Sequence, residues 1–243
     1  EKANTLLEVN ASQNDKDFIM AVNWKKAAEL VKAGKGRKVT TEYAHNTWDE
    51  STHSATSTMK KEVVVLSVED MKDAMFMIPC PKSPHGCDVD PTGEYIIGSG
   101  KLAALIPVFS FDKMIKAIAD KNFAGEYDGV QVIKYEAALH GEVQKPGLGP
   151  LHTEFDGKGN AYTSMFVSSE VVKWNIKDLK VLDRQPTFYS VGHLMIPGGD
   201  SGKPFGKYLV AYNKITKDRY LPTGPELAQS AQLYDISGDK MKL

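Results

Sequence analysis

Apolar and polar positions change period several times along the chain. Asp17 to Val22 is a short apolar run. Trp24 to Lys35 then sets Ala27, Ala28, Leu30 and Val31 at helical spacing and stops at Gly34, which predicts a helix. Glu62 to Val68 is β-branched and predicts a strand, and Glu69 to Phe76 reads as a short helix or turn leading to Ile78. Between them, Thr40 to Met59 is polar, rich in Thr and Ser, and contains His45 and His53. It reads as a long surface excursion with a little strand.

From Pro81 onward a composite pattern recurs. Asp90-Pro-Thr-Gly93 is a β-turn, with Pro second and Gly fourth as a type I turn prefers. It feeds apolar runs at Glu94 to Gly98 and Ile106 to Phe111. Asp156-Gly-Lys-Gly159 feeds Asn160 to Val167 and Val171 to Ile176. Gly202 to Gly206 feeds Lys207 to Asn213 and, past an insertion, Ala231 to Ile236. The turn starts lie 66 and 46 residues apart, and the longer interval holds the helix-like stretch Lys113 to Lys121. Antiparallel units repeating at about 40–50 residues predict a β-propeller. A β-sandwich is the competing architecture, although it would show turns every 8–12 residues or so without a composite unit. The fold class expected is all-β: a partial propeller of about three to four blades with short helical insertions.

Composition narrows the function classes. Of 243 residues, 42% are apolar and 25% charged, enough for a sizeable core. The longest apolar runs, Val63 to Leu66 and Phe18 to Val22, fall far short of the roughly 20 residues that span a bilayer. Thirty basic and 31 acidic side chains give a net charge of −1 without a basic block, which argues against nucleic acid as the main partner. Cys80 and Cys87 match no CxxC zinc or redox pair; they read as two small buried or half-buried thiols, with a disulfide as the alternative. The first residue is Glu1, and both ends read as cut, so a longer protein is expected.

Three of the six histidines fall in phase with the repeat. His85 lies five residues before the turn at Asp90, His152 four before Asp156, and His193 seven before Asp200. Corresponding positions of successive blades fall on a circle about the propeller axis. Imidazoles there would face one another and suit a late transition metal. Three unrelated loop histidines are the alternative. His140, twelve residues before His152, is out of phase and reads as structural.

Longer motifs accompany these histidines. Ser83-Pro-His-Gly86 leads into Asp90-Pro-Thr-Gly-Glu-Tyr95 and Gly98-Ser-Gly-Lys-Leu102. Gly147-Leu-Gly-Pro-Leu-His-Thr153 leads into Asp156-Gly-Lys-Gly-Asn-Ala-Tyr-Thr163 and Val171-Val-Lys-Trp-Asn175. Val191-Gly-His-Leu194, Lys217-Asp-Arg-Tyr-Leu-Pro222 and Asp235 to Leu243 follow. In this order they resemble the nitrous-oxide reductase family, strongly over Pro81 to Leu243 and in patches over Glu1 to Pro79.

That resemblance implies a seven-bladed propeller carrying a tetranuclear copper-sulfide cluster on seven histidines. It also implies a separate cupredoxin domain with a dinuclear copper site, absent from this sequence. His85, His152 and His193 match three cluster ligands, and Lys214 matches a lysine beside the cluster. Glu1 and Asp17 resemble calcium ligands, with Asp15 competing for the register and the Val9 carbonyl a third oxygen. Lys217 and Arg219 read as structural.

On this reading residues 1–80 form a propeller segment with a polar insertion and the calcium region, and residues 81–243 form the blades with the cluster histidines. The implied reaction is reduction of nitrous oxide to dinitrogen and water in the periplasm. Electrons would come from a c-type cytochrome or a cupredoxin, the intact enzyme would be a homodimer, and the isolated segment would be inactive. The rivals are a non-catalytic propeller that binds proteins and a quinoprotein-like or other metal-dependent propeller enzyme.

Overall fold

Apolar residues alternating with polar ones between Asp-anchored turns close as hairpins, and hairpins in series build this chain. The computed structural model describes residues 17–44, 48–55, 58–188, 190–213 and 230–243. Two compact units divide it. One comprises the described residues of Glu1–Ile19 with Ile78–Ala124 and Ile133–Leu243; the other comprises Met20–Met77 and Gly125–Val132.

The first elements are β1 (Phe18–Val22), α1 (Trp24–Lys32), β2 (Arg37–Ala44), β3 (Trp48–Asp49), β4 (Ser54–Ala55), β5 (Thr58–Val65) and β6 (Met75–Pro79). Helix α1 starts at Asn23, whose side chain accepts the Lys26 N–H at 3.0 Å, and closes before Gly34 at φ +81°. The polar stretch expected to hold little strand is a long antiparallel hairpin instead. Strands β2 and β5 pair from Arg37↔Val65 to Ala44↔Thr58, with the short β3–β4 pair between them in sequence. Beyond the Val63–Val65 end, already read as strand, polar pairs such as Thr40↔Glu62 and Thr41↔Lys61 hide the pairing, because they carry no apolar alternation to read. The expected helix or turn after it is a turn. Ser67 donates N–H and O–H to the Asp70 carboxylate, and the chain enters β6 from there.

The blades follow. The second group of elements is β7 (Pro84–Val89), β8 (Tyr95–Gly100), β9 (Leu105–Ser110), α2 (Phe111–Ala119), β10 (Phe123–Tyr127), β11 (Val130–Ile133), α3 (Tyr135–Ala138) and β12 (Leu139–Gln144). Then come β13 (Pro150–Phe155), β14 (Asn160–Met165), β15 (Glu170–Asn175) and β16 (Val181–Pro186), and finally β17 (Val191–Met195), β18 (Tyr208–Asn213) and β19 (Ala231–Asp235). Besides the two-stranded pairs β2–β5 and β3–β4, the described residues form larger sheets in the orders β1–β6–β11–β10, β12–β9–β8–β7, β13–β14–β15–β16 and β17–β18–β19. The first includes a parallel pair, β11 beside β6, unlike the antiparallel sheets that follow. The architecture is all-β, a partial propeller with short helices. The insertion from α2 to α3 separates the third and fourth strands of one blade, which explains the longer of the two turn spacings.

Each Asp turn is wired by its own carboxylate. Asp90 accepts the Thr92 and Tyr95 N–H groups, and Asp156 accepts those of Lys158 and Asn160. The sheet β13–β16 is apolar on both faces because alternate residues serve different cores. Ala161, Met165, Val172 and Trp174 pack with Ile97, Ile106 and Val108. Tyr162 and Val171 pack with Val191, Leu194, Leu209 and Tyr234. Trp174 is fully buried, and its indole N–H donates to Thr163 Oγ1 at 2.9 Å. Trp174→Ala should therefore lower stability by about 3–5 kcal/mol, read as a lower urea midpoint. A midpoint within error of wild type would show that this blade does not depend on its centre.

Candidate metal centre

Strands β7, β13 and β17 stand at the inner edges of three successive sheets, with β13 between the other two. Each carries one of the in-phase histidines: His85 on β7, His152 on β13 and His193 on β17. Sequence reading placed these histidines at the entrance to each repeat and assigned them to no strand, because Gly and Pro depress strand propensity. The segments are strands, and each loses register at its histidine. The β7–β8 ladder shifts between Pro84 and Gly86, β13–β14 between Pro150 and Thr153, and β17–β18 between Val191 and Leu194. A bulge bends the strand and re-aims a side chain, here at the same place in three blades.

The result is a row of imidazoles. The His85 and His152 ring centres lie 4.9 Å apart at 76°, and those of His152 and His193 lie 4.2 Å apart, nearly parallel at 20°. His152 Nε2 is buried between its neighbours. Among the described residues, no group of three or more His, Cys, Asp or Glu side chains is arranged to hold one metal ion. The rings lie side by side rather than around a point. Imidazoles sharing one wall are donors of the kind that suits zinc, copper, iron or nickel.

Backbone contact brings the row together. A Cβ on Gly86 would lie 1.9 Å from the Leu151 carbonyl oxygen, so only glycine lets β7 approach β13 beside His85. Behind His152, its N–H donates to Ser164 Oγ at 3.2 Å. Thr153 Oγ1 and Thr163 Oγ1 lie 2.8 Å apart, linking the histidine strand to the buried Trp174.

Comparison with known proteins decides the family. The description "Nitrous oxide reductase propeller repeat" matches residues 184–243. The nitrous-oxide reductase of Pseudomonas fluorescens is 35% identical over 244 residues, covering 95% of this chain and 34% of its own length. The enzyme of Stutzerimonas stutzeri is 40% identical over 187 residues, covering 72% of this chain and 28% of its own. The chain belongs to the nitrous-oxide reductase family. It spans about a third of the length of these relatives.

Within this member of the family the other candidates separate. His140 also sits at a bulge, between Leu139 and Gly141, but on the outer strand β12. Its ring lies 4.8 Å from Tyr95 and its Nε2 meets the Lys177 carbonyl at 3.3 Å, so it stands apart from the row. His53 is exposed in a turn. Asp17 is half-buried, and its Oδ2 accepts the Ser83 N–H at 2.8 Å, two residues before His85. Glu1, Val9, Asp15, His45, Lys214, Lys217 and Arg219 lie outside the described residues. Cys80 and Cys87 are both free thiols, and burial pushes Cys80 up to about 12.

Three carboxylates beside the row were missed by sequence reading: Asp88, Glu154 and Asp200. The available signal for Glu154 was its place on the same strand, two residues beyond His152. Burial pushes both Asp88 and Glu154 up to about 7, and the charge of Asp200 adds to each shift. The Thr153 N–H opposes the shift at Asp88, and the Ile196 N–H opposes it at Glu154.

Two outcomes are expected. Gly86→Ala should push β7 away from β13 and cost about 1–3 kcal/mol, the range for overpacking, read by urea unfolding. An unchanged midpoint would mean that the strands do not meet there. The second concerns pH. Because Asp88 and Glu154 have folded pKa values above their ordinary 3.8 and 4.5, the folded chain binds more protons than the unfolded chain up to about 7. Their contribution to stability therefore declines as pH rises through that window. The urea midpoint of Asp88→Asn should fall less than that of wild type between pH 5 and pH 8; parallel curves would count against a buried, protonated Asp88.

Proposed function

We propose that this chain is the part of a copper oxidoreductase that reduces nitrous oxide to dinitrogen and water, consuming two electrons and two protons. The observation that carries the reading is the row of three imidazoles drawn from consecutive inner strands. Family membership supports it. His85, His152 and His193 would hold copper of a tetranuclear copper-sulfide cluster as neutral donors, with the remaining histidines supplied by other segments of the protein. When bound, the cluster supplies the electrons and the coordination that nitrous oxide, a poor ligand, requires.

The residues of the chain do the rest. The bulges and the Gly86 contact hold the imidazoles in place before metal arrives, which limits the ordering that binding must impose. Burial of His152 Nε2 keeps water from that donor. Lys214, next after β18, is proposed as the cation that stabilises negative charge developing on the substrate oxygen. Glu1 and Asp17 are proposed calcium ligands; a carboxylate accepting the Ser83 N–H can still offer oxygen to a hard cation and would brace the approach to His85. The enzyme would work in the periplasm as a homodimer, receiving electrons from a c-type cytochrome or a cupredoxin.

Two variants of the full-length enzyme test the assignment, with copper per chain and nitrous oxide consumption as readouts. His152→Ala should lose copper together with activity. Lys214→Met keeps the apolar stem and deletes the charge, so copper should remain while turnover falls roughly 10²–10³-fold. Equal copper loss in both would make Lys214 a support of the cluster. A copper-free parent would instead favour a propeller that binds proteins.

A further inference from the structure

We propose that carboxylates reaching from one blade to the next set the spacing of the histidine row, making Asp88 and Glu154 positioning residues for the three imidazoles. The strands β7, β13 and β17 each hydrogen-bond within their own sheet, so no ladder joins one to another. Their backbones must nevertheless be held in register across the row. Asp88 Oδ2, on β7, accepts the N–H of Thr153 on β13 at 2.8 Å, one residue beyond His152. Glu154 Oε2, on β13, accepts the N–H of Ile196 at 3.4 Å, three residues beyond His193. Asp17 makes the same kind of contact to Ser83, two residues before His85.

All three bonds run the same way along the chain, from a carboxylate to the backbone of a later histidine segment. The N–H groups concerned face a neighbouring blade rather than water, so each needs an acceptor from the protein and the carboxyl oxygen supplies it. Glycines make room for the reach. A Cβ on Gly199 would lie 1.9 Å from Glu154 Oε2, and one on Gly86 would lie 3.0 Å from Asp88 Oδ2. Thr153 is further tied through Thr163 to Trp174, so the Asp88 bond connects one blade's inner strand to the packed centre of the next. Moving either acceptor therefore moves a particular pair of histidines.

The spacing argument stands by itself, and its bearing on copper rests on the function proposed above. The test compares crystal structures of the full-length protein with those of Asp88→Ala, Glu154→Ala and Asp88→Asn, and measures copper affinity in parallel. Asp88→Ala should widen the His85–His152 separation beyond 4.9 Å and leave the His152–His193 separation at 4.2 Å. Glu154→Ala should do the converse. Asp88→Asn keeps an accepting oxygen and should preserve both. Copper affinity should fall about 10–100-fold in each alanine variant, the loss usual when a group that orients a ligand is removed.

Unchanged spacing in both alanine variants overturns the proposal. So does loosening of both pairs by either variant, which would mark general destabilisation, or an asparagine variant that behaves like alanine. Should Asp88→Ala fail to fold, Asp88→Ser, too short to reach the Thr153 N–H, gives the same reading. A parent that takes up no copper while the spacings respond as expected would sink the proposed function and leave the positioning role intact.

Discussion

The approach of β7 to β13 at Gly86 is the contact on which the site depends. A hydrogen atom where any other residue carries carbon lets one inner strand lie against the Leu151 carbonyl oxygen of the next. Without that approach, His85 could not reach a ring-centre separation of 4.9 Å from His152. The neighbouring residues then work within the distance the glycine allows. Asp88 captures the Thr153 N–H, and Thr153 passes the restraint through Thr163 to Trp174. Site geometry and core packing are one continuous set of contacts here, which is why a substitution at Trp174 should be felt as a change in stability.

Two kinds of sequence signal differ in how far they carried. Turns and middle strands were legible because their chemistry is local. Asp90 and Asp156 close their turns with their own side chains, and the runs at Tyr95–Gly100 and Glu170–Asn175 have the expected β pattern. The inner strands were not legible. Their Gly and Pro residues are present for contact between blades and for bulges, both properties of the assembled structure rather than of a ten-residue window. Of the β2–β5 hairpin only the Val63–Val65 end was legible; toward its tip the pairs are polar, Thr40↔Glu62, Thr41↔Lys61 and Glu42↔Lys60. The phase of the histidines was visible in the spacing of turns, but the carboxylates next to them became meaningful only once β13 was seen between β7 and β17.

The distribution of donors over several blades ties metal to fold. A ligand set on one helix or hairpin can form before the rest of a protein does. Here each imidazole belongs to a different sheet, so the row exists only when three sheets are in place. On the proposed reading, bound copper would stabilise that arrangement and the arrangement would prepare the copper site, each contributing free energy to the other. The imidazoles must be neutral to bind, whereas Asp88 and Glu154 sit in surroundings that favour their protonated forms up to about 7.

His140 shows which of these features is decisive. It has a register shift in its strand, as all three in-phase histidines do, and a glycine beside it, as His85 and His193 do. Yet it stacks near Tyr95 and meets the Lys177 carbonyl, because β12 is the outer strand of its sheet. A bulge re-aims a side chain, but the strand's place in the sheet decides what it is aimed at. The phase of a histidine relative to the repeat turn encodes that place, since the strand entering the turn is the innermost in each blade. For this fold, distance from the turn is therefore a better guide to a histidine's neighbours than the residues flanking it.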